Sequence, residues 1–536
     1  MMADHADLPE TVTLTIDGQQ VTVPKGTSIL HAAEQAGTQV PHYCYHAGLS
    51  APAMCRLCLV EVEKAPKLLP SCVTQVAEGQ VVHTQSDKSL TMRRGVLEFY
   101  LHNHPLDCPI CDQSGECKLQ DYAHEEGRPH GRVREPKRVF GRDDFGGDVL
   151  FYGDRCVMCT RCVRFMNEVE QDPRLAVVER GDRSIIDTFF DEGLEGTNFH
   201  GNVVDICPVG ALLSKDFLFK QRAWDLSHTD SVCPNCSQGC NIELHTRDNL
   251  VQRLRPRPNL DVNGHWMCDE GRLDYEWINR GGRLEVPLVR DGKEFHATDW
   301  KEALVGLVRE LGAGPVRALV SPRLSNEDLG AARALVDQLG GGDLVYRSRR
   351  APEELVLKGF PKLARRRDLA PNVNGADLLG MSRVGDNDGT GGLEGLASHD
   401  GIVLVVGDDL EDQPPTFGKE AALYVFLGTH SSEAASHAHF TLPLTTFAEQ
   451  EGTFTNHENR VQRFWSGLPA PGAARPAWLI LWALLAEHTG QTQPTRPEEA
   501  FVTVSEFGDV TYETLGKQGV IVTPPTRQEP AGAIGD

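Results

Sequence analysis

The residues of this chain that can do chemistry as a group are its 15 cysteines, which all lie in the first half of the 536 residues. Cys156, Cys159 and Cys162 follow a C-x2-C-x2-C spacing, and Cys207 precedes a proline further along. Such a triplet wraps one corner of an iron–sulfur cubane, and a fourth thiolate before a proline closes the site. Zinc sites usually present cysteines in pairs, so the triplet favours iron–sulfur over zinc. We call these four residues the central set.

A second group, the binuclear set, is Cys44, Cys55, Cys58 and Cys72, with C-x10-C-x2-C-x13-C spacing. Its layout resembles the plant-type [2Fe-2S] run, with a longer first gap. Residues 11–24 alternate as a hairpin around an Asp-Gly turn, and a helix capped by residues 26–28 should follow. A β-grasp ferredoxin begins in this way. The pattern therefore predicts a [2Fe-2S] site, with zinc as the alternative.

The histidine set is His104, Cys108, Cys111 and Cys117, at H-x3-C-x2-C-x5-C spacing. Fifteen cysteines are one short of four sets of four, and the histidine supplies the missing ligand. A neutral imidazole in place of a thiolate lowers the negative charge of a cluster, which should raise its reduction potential. His102 is the alternative ligand, and the spacing favours His104.

The fourth set is Cys233, Cys236, Cys240 and Cys268, at C-x2-C-x3-C-x27-C spacing. It follows residues 224–226, where a new domain is expected to start. Zinc is a stronger alternative here than for the other sets, because a cysteine pair followed by a distant cysteine is common in zinc modules. Residues 241–251 and their flanks predict a strand pair around this set.

Other segments must position these ligands. Residues 90–102 have the apolar spacing of a helix with one packed face, and the basic residues 128–142 predict an extended connector. Short strands are expected at 176–178 and 185–190. The ring of Pro208 fixes its φ at a value that suits the first turn of a helix, so we expect a helix to start after Cys207.

The second half of the chain predicts a different architecture. Helices should begin at Trp300 and after Ser325, and residues 402–406 and 423–427 read as buried strands. Alternating strands and helices indicate a parallel α/β sheet covered on both faces. The chain contains no G-x-G-x-x-G and no P-loop motif, so we expect no flavin or NAD site in it.

Composition limits the function classes. The net charge of −23 argues against a nucleic-acid partner. Residues 1–10 lack the apolar core of a signal peptide, and the longest apolar run, Ala477–Ala486, is too short to span a bilayer. We therefore expect a soluble protein that reaches a membrane only through partners. The Pro- and Gly-rich tail after Thr523 is expected to be disordered.

The order of the four sets closely resembles that of the large iron–sulfur subunit of bacterial NADH:quinone oxidoreductase, respiratory complex I. The resemblance is strong over residues 11–282. It continues more loosely through residues 441–444, 451–456 and 459–462, which look like the molybdopterin-oxidoreductase-type domain of that family. The second half is shorter than the usual domain and has no cysteine that could ligate molybdenum. We therefore expect it to carry no molybdopterin.

The resemblance implies a multidomain α+β and α/β fold. It has an N-terminal β-grasp [2Fe-2S] ferredoxin-like domain, [4Fe-4S] domains and a shortened molybdopterin-oxidoreductase-like α/β domain. The expected boundaries are 1–80 for the [2Fe-2S] domain, 81–120 for the histidine set, 121–225 for the ferredoxin-like [4Fe-4S] domain, 226–282 for the molybdopterin-oxidoreductase-type [4Fe-4S] domain, 283–520 for the reduced domain and 521–536 for the tail.

The resemblance also implies a passive electron conductor with one [2Fe-2S] and three [4Fe-4S] clusters. Electrons would come from an NADH-binding flavoprotein and a small [2Fe-2S] subunit. They would pass through the binuclear, central and histidine sets to quinone-side iron–sulfur subunits, with the fourth set off this route. The chain would be peripheral, on the cytoplasmic side of the cell membrane. The alternative is a subunit of an NAD-linked molybdenum formate dehydrogenase, which the missing molybdenum ligand disfavours.

Overall fold

The computed structural model of the chain describes residues 10–312 and 315–523. The expectations for residues 1–9 and for the tail after Thr523 lie outside the described residues. The chain divides into two compact units between Asp225 and Leu226. This point is also one of the expected domain boundaries.

The first unit opens with a β-grasp arrangement. Its elements are β1 Thr11–Ile16, β2 Gln19–Pro24, α1 Ile29–Gln35, β3 Leu59–Val62, β4 Leu69–Pro70 and β5 Val81–His83. The predicted hairpin and helix are confirmed: β1 pairs antiparallel with β2, and the Ser28 hydroxyl caps α1 by accepting the His31 N–H. The strand order is β2-β1-β5-β3-β4. Alternate apolar residues such as Leu14, Ile16 and Val82 pack against α1.

The rest of the first unit consists of short elements joined by loops. They are α2 Asp87–Asn103, α3 Lys118–Glu125, β6 Arg142–Asp144, β7 Val149–Tyr152, α4 Arg161–Arg164, β8 Ala176–Val178, β9 Ile185–Asp187, α5 Asn202–Asp205 and β10 Leu212–Ser214. The expected helix near 90–102 is α2, and the strands expected near 176 and 185 pair as β8 and β9. Most of the basic connector has no regular structure, and Lys137 in it donates to the carbonyls of Leu101 and His102.

The prediction of a helix after Cys207 is wrong. Pro208 leads into a turn and then into β10, which pairs with β7 in the order β10-β7-β6. Pairing of the backbone with β7 overrides the local preference of Pro208, since the Tyr152 N–H donates to the Ala211 carbonyl. The turn also aims the backbone N–H groups of Val209, Ala211 and Leu212 at the Cys207 sulfur.

The second unit begins with a three-stranded antiparallel sheet and a short helix: β11 Ser227–Val232, β12 Asn241–Arg247, β13 Leu250–Pro256 and α6 Asp269–Leu273. This confirms the strand pair expected around the fourth set and adds a third strand. The sheet positions cysteines at its ends, because Cys233 follows β11 and Cys240 precedes β12.

A larger sheet dominates the second unit. Its strands are β14 Leu288–Asp291, β15 Glu294–Ala297, β16 Val316–Val320, β17 Gly342–Tyr346, β20 Ser382–Arg383, β21 Ile402–Val406, β22 Leu423–Gly428 and β23 Phe440–Pro443. Their order is β15-β14-β23-β22-β21-β16-β17-β20, and the pairs from β23 to β20 are parallel. The expected strands at 402–406 and 423–427 are confirmed as neighbours in this sheet.

Helices and smaller strand pairs complete the second unit. Their bounds are α7 Trp300–Glu310, α8 Asn326–Gln338, β18 Leu355–Val356, β19 Ala364–Arg365, α9 Val373–Leu378, α10 Glu394–Ala397, β24 Gly452–Thr455, β25 Arg460–Phe464, α11 Ala477–Thr489, α12 Pro497–Val502, α13 Tyr512–Leu515 and β26 Val520–Ile521. One core packs α7, α8 and α11 against one face of the sheet, and a second core covers the other face. None of the helices in residues 10–312 and 315–523 has the length and apolar character that a membrane span needs.

Candidate iron–sulfur sites

The binuclear set is assembled by a hairpin and the loop before it. All four cysteines are buried. Cys58 immediately precedes β3 and Cys72 follows β4, so the pairing of these strands brings the two Sγ atoms to 3.4 Å. Cys44 and Cys55 lie in the loop between α1 and β3, where the Tyr43 N–H donates to the Cys55 sulfur at 3.4 Å. The hydrogen bond to Cys58, burial and the other thiols raise the pKa of Cys72.

The histidine set lies where α2 ends and α3 begins. His104 caps the C-terminus of α2, and Cys117 is the residue before α3. Cys111 and Cys117 are buried, whereas Cys108 is exposed. Burial lowers the pKa of His104 to about 4, with smaller effects from Arg155 and other neighbours, so its imidazole is neutral near pH 7. A neutral imidazole has a ring nitrogen that can bind a metal.

The central set lines a cavity with apolar walls that include Phe151, Val209 and Leu212. Met158 and Thr160, between the cysteines, have φ of 49° and 59°, and these left-handed turns let the three cysteines of the triplet face the same cavity. The Met158 N–H donates to the Cys156 sulfur at 3.3 Å. Burial raises the pKa of Cys159 to about 11.

The fourth set is held between β11, β12 and α6, and all four of its cysteines are buried. The Cys233 N–H donates to the Cys240 carbonyl at 2.8 Å, and the Cys268 sulfur accepts the Gly271 N–H at 3.3 Å. A Cβ on Gly271 would lie 3.2 Å from the sulfurs of both Cys233 and Cys268, so glycine leaves room for them. Burial raises the pKa of Cys233 to about 12.

The chemistry of these donors fits metal–sulfur groups. Burial raises the pKa of every thiol in the central and fourth sets, so as free groups these thiols would be neutral, and a bound cation would make the buried thiolates favourable. Backbone N–H groups already point at sulfurs in the binuclear, central and fourth sets, as they do around iron–sulfur clusters. In the fourth set, the same donors would also accept zinc.

Three arginines beside the cysteines were not singled out by the sequence patterns. Arg155 is buried, forms an ion pair with Asp107 at 3.0 Å and stacks on Tyr152 at 4.0 Å. Arg161 is buried and stands in the sequence between the second and third cysteines of the triplet. Arg164 follows it by about one helical turn. The sequence signal was present, because arginines stand next to cysteines in this segment, but burial could not be read from it.

Another polar cluster lies on β11 and β12, where His228, Glu243 and His245 have ligand atoms within 4.8 Å of one another. Arg253 Nε donates to Nδ1 of His245 at 3.0 Å. The other ring nitrogen of His245 therefore carries the proton and donates to Glu243 at 3.1 Å. With both ring nitrogens engaged, the cluster is a hydrogen-bond network rather than a metal site.

A cavity of about 360 Å³ opens at the C-terminal ends of β16, β17 and β21. Ligands often bind at this edge of a parallel sheet. Arg323, Arg347 and Arg349 line it together with four carboxylates, and Arg347 pairs with Asp412 at 2.8 Å. Opposite charges in nearly equal number select no single class of ligand.

Family models match each region that carries a set. A 2Fe-2S iron-sulfur cluster binding domain matches residues 9–87, and an NADH-ubiquinone oxidoreductase-G iron-sulfur binding region matches 93–132. The ferredoxin-like domain of NADH-quinone oxidoreductase subunit 3 matches 146–213. A molybdopterin oxidoreductase Fe4S4 domain matches 226–280, and a molybdopterin oxidoreductase model matches 375–487. The expected fold class is thereby confirmed, with 2Fe-2S and 4Fe-4S binding domains.

Curated relatives agree with the resemblance seen in the sequence. The mitochondrial 78 kDa subunit of NADH-ubiquinone oxidoreductase from Candida albicans is 40% identical over 336 residues, covering 61% of this chain and 46% of that protein. The G-subunit of NADH-quinone oxidoreductase from Rickettsia felis is 37% identical over 336 residues, covering 62% of this chain and 50% of that protein. This chain is a relative of these oxidoreductase subunits. It spans about half the length of the curated relatives it matches.

Among solved structures, a chain from the crystal structure of NAD+-reducing [NiFe]-hydrogenase in the H2-reduced state is 30% identical. The match covers 39% of this chain and 90% of that one, with a TM-score of 0.36.

Proposed function

We propose that the chain is the electron-relaying iron–sulfur subunit of an NADH:quinone oxidoreductase. The binuclear set would hold one [2Fe-2S] cluster, and the histidine, central and fourth sets one [4Fe-4S] cluster each. The observation that supports the proposal is that each of the four regions matching iron–sulfur domain models contains four candidate ligands in its sequence. When bound, the clusters would supply one-electron redox chemistry.

Side chains near more than one set support the proposed order of electron transfer. Arg161 interacts electrostatically with Cys44 of the binuclear set and with Cys159 and Cys207 of the central set. Arg155 precedes the first cysteine of the central set and acts on the pKa of Cys111 in the histidine set. A central position for the central set accords with a relay from the binuclear set through it to the histidine set.

The residues of the chain have three tasks in such a relay. They hold the clusters, exclude water from them and set their charge environment, and no acid–base group is required because no bond to a substrate is made. Apolar walls such as Phe151 and Ile186 exclude water from the central set. The neutral His104 would give its cluster less negative charge than four thiolates would.

We also propose the partners and the place of the chain. Electrons would arrive from the NADH-binding flavoprotein through the small [2Fe-2S] subunit and leave to the quinone-side iron–sulfur subunits. An exit at the histidine set is supported by its exposed Cys108, flanked by Leu106 and Ile110 with exposures of 91% and 60%. The chain would lie peripherally on the cytoplasmic side of the cell membrane. The sheet of the second unit would be scaffold and docking surface without molybdopterin.

Metal analysis of the anaerobically purified protein tests the cluster count. Four loaded sets would give about 14 irons per chain and no molybdenum. About 10 irons with one zinc would contradict a cluster in the fourth set. Bound molybdenum would instead support the formate dehydrogenase alternative.

The histidine ligand can be tested separately. His104→Cys should still assemble a cubane, and the additional thiolate should lower its reduction potential and change its electron paramagnetic resonance (EPR) spectrum. His102→Cys is the matched control and should leave both unchanged. The opposite pattern would make His102 the ligand.

A further inference from the structure

Arg161 is a buried cation that holds the backbone beside two cluster sets. Only 5% of the residue is exposed. One guanidinium nitrogen, Nη1, donates to the Ile206 carbonyl at 3.0 Å, and Nη2 donates to the Tyr45 carbonyl. Ile206 immediately precedes Cys207 of the central set, and Tyr45 immediately follows Cys44 of the binuclear set. A single side chain thus ties together the loops that carry ligands of both sets.

The charge of Arg161 has no carboxylate partner among the described residues. Its hydrogen bonds go to backbone carbonyls, and the groups that act on it electrostatically include Cys159, Cys207, Cys44 and the like-charged Arg164 and Lys118. A buried charge without an opposite charge is strongly unfavourable. The cysteines of the two sets are the groups that would supply this negative charge once they hold clusters as thiolates.

Arg155 provides a contrast within the same unit. It is also buried, with 2% exposure, and it stands directly before Cys156 of the central set. Its guanidinium is paired with the Asp107 carboxylate, with Nε and Nη2 at 3.1 and 3.0 Å from Oδ2. The carboxylate offsets its charge, so Arg155 should affect the nearby clusters less than Arg161 does.

We propose that Arg161 is a shared counter-cation and positioning residue of the binuclear and central clusters. The inference rests on the ligand sets proposed above. A cluster that accepts one electron from a partner's redox centre gains one negative charge, and it loses that charge when the electron moves on, with no bond made or broken. A fixed cation beside both clusters stabilises their reduced forms and so raises both reduction potentials.

The test is an EPR-monitored redox titration of the cluster-loaded protein carrying Arg161→Gln or Arg161→Lys. For Arg161→Gln, we expect the equilibrium constant for reduction of both clusters to fall at least tenfold, a 59 mV shift for a one-electron couple. Arg161→Lys keeps the charge and should stay within threefold of the parent. Arg155→Gln is the matched control and should shift the central cluster less than Arg161→Gln does. Unchanged potentials in Arg161→Gln would overturn the proposal.

Assembly of the clusters is measured first by iron content. If Arg161→Gln loses iron and Arg161→Lys retains it, a positive charge is needed at this position, which supports the counter-cation role. If both variants lose the same iron, the shape of the arginine side chain rather than its charge is what the loops require, and the proposal fails. Missing clusters in the parent protein would instead contradict the proposed function, so the two failures are distinguishable.

Discussion

The central-set loop of the first unit and the parallel sheet of the second unit differ in what fills their interiors. The loop encloses four thiols with a buried arginine beside them, and it passes through left-handed conformations at Met158 and Thr160. The sheet instead encloses Val, Leu and Ile side chains packed by α8 and α11. We expect the first interior to need a bound metal group to balance its charge, whereas apolar burial is the main source of stability in the second.

Removal of iron should have the largest effect, and it should be confined to the regions that carry ligands. Anaerobic chelation should greatly accelerate amide hydrogen exchange in residues 41–58, 104–117 and 153–162, since these loops would lose the group that joins their ligands. Strands β21 and β22 should keep their protection. Equal loss of protection in both places would show that the sheet also depends on the clusters. Reconstitution with iron and sulfide is the control.

Gly210→Ala should disrupt the histidine set without altering a proposed ligand. A Cβ at residue 210 would lie 2.2 Å from the Cys111 sulfur, so Cys111 must move. We expect the variant to lose about four irons, those of one cubane. Gly95→Ala in α2 is the control, because a Cβ there meets nothing within 4 Å. A full iron content in Gly210→Ala would mean that the Cys111 loop adapts.

Leu335→Ala should destabilise the sheet of the second unit and leave the clusters intact. Leu335 is 2% exposed on α8 and packs in the core with Leu307 and Ile480. Truncation should cost about 2–5 kcal/mol of unfolding free energy, measured by denaturant titration. Val502→Ala is the control: Val502 lies on α12 with 66% exposure, and its truncation should change the free energy of unfolding by less than about 0.5 kcal/mol. A fall in iron content of Leu335→Ala would weaken the contrast between the two interiors.

Glu327→Gln should change the pH dependence of the second unit. Burial raises the pKa of Glu327 to about 7, from an ordinary value of 4.5. Between these values the folded state holds a proton that the unfolded state releases, so this contribution to stability is complete below pH 4.5 and falls as pH rises towards 7. The variant should have a flatter profile in denaturant titrations from about pH 5 to 7. Glu420→Gln, at an exposed residue, is the control and should leave the slope of stability against pH as in the parent protein. The parent slope in Glu327→Gln would show that Glu327 does not cause this pH dependence.

Much of the fold could be predicted because local patterns and tertiary structure agree. The alternation at Thr11–Ile16 and the Ser28 cap predicted the hairpin and α1, and the apolar runs at 402–406 and 423–427 predicted two buried strands of a parallel sheet, which the structure shows to be neighbours. Pro208 is the counterexample. Its ring suits the first turn of a helix, but pairing of β10 with β7 satisfies the backbone instead. Strand pairing joins residues far apart in sequence, so a local pattern could not reveal it.

The sequence by itself was enough to propose the four donor sets, because the spacing of thiols along the chain limits which ones can share a metal group. The tertiary structure alone decided what surrounds them. It placed Tyr45 and Ile206 on the two sides of Arg161, and it paired Arg155 but not Arg161 with a carboxylate among the described residues. Whether a buried charge is compensated depends on contacts between distant segments, and these contacts exist only in the folded chain.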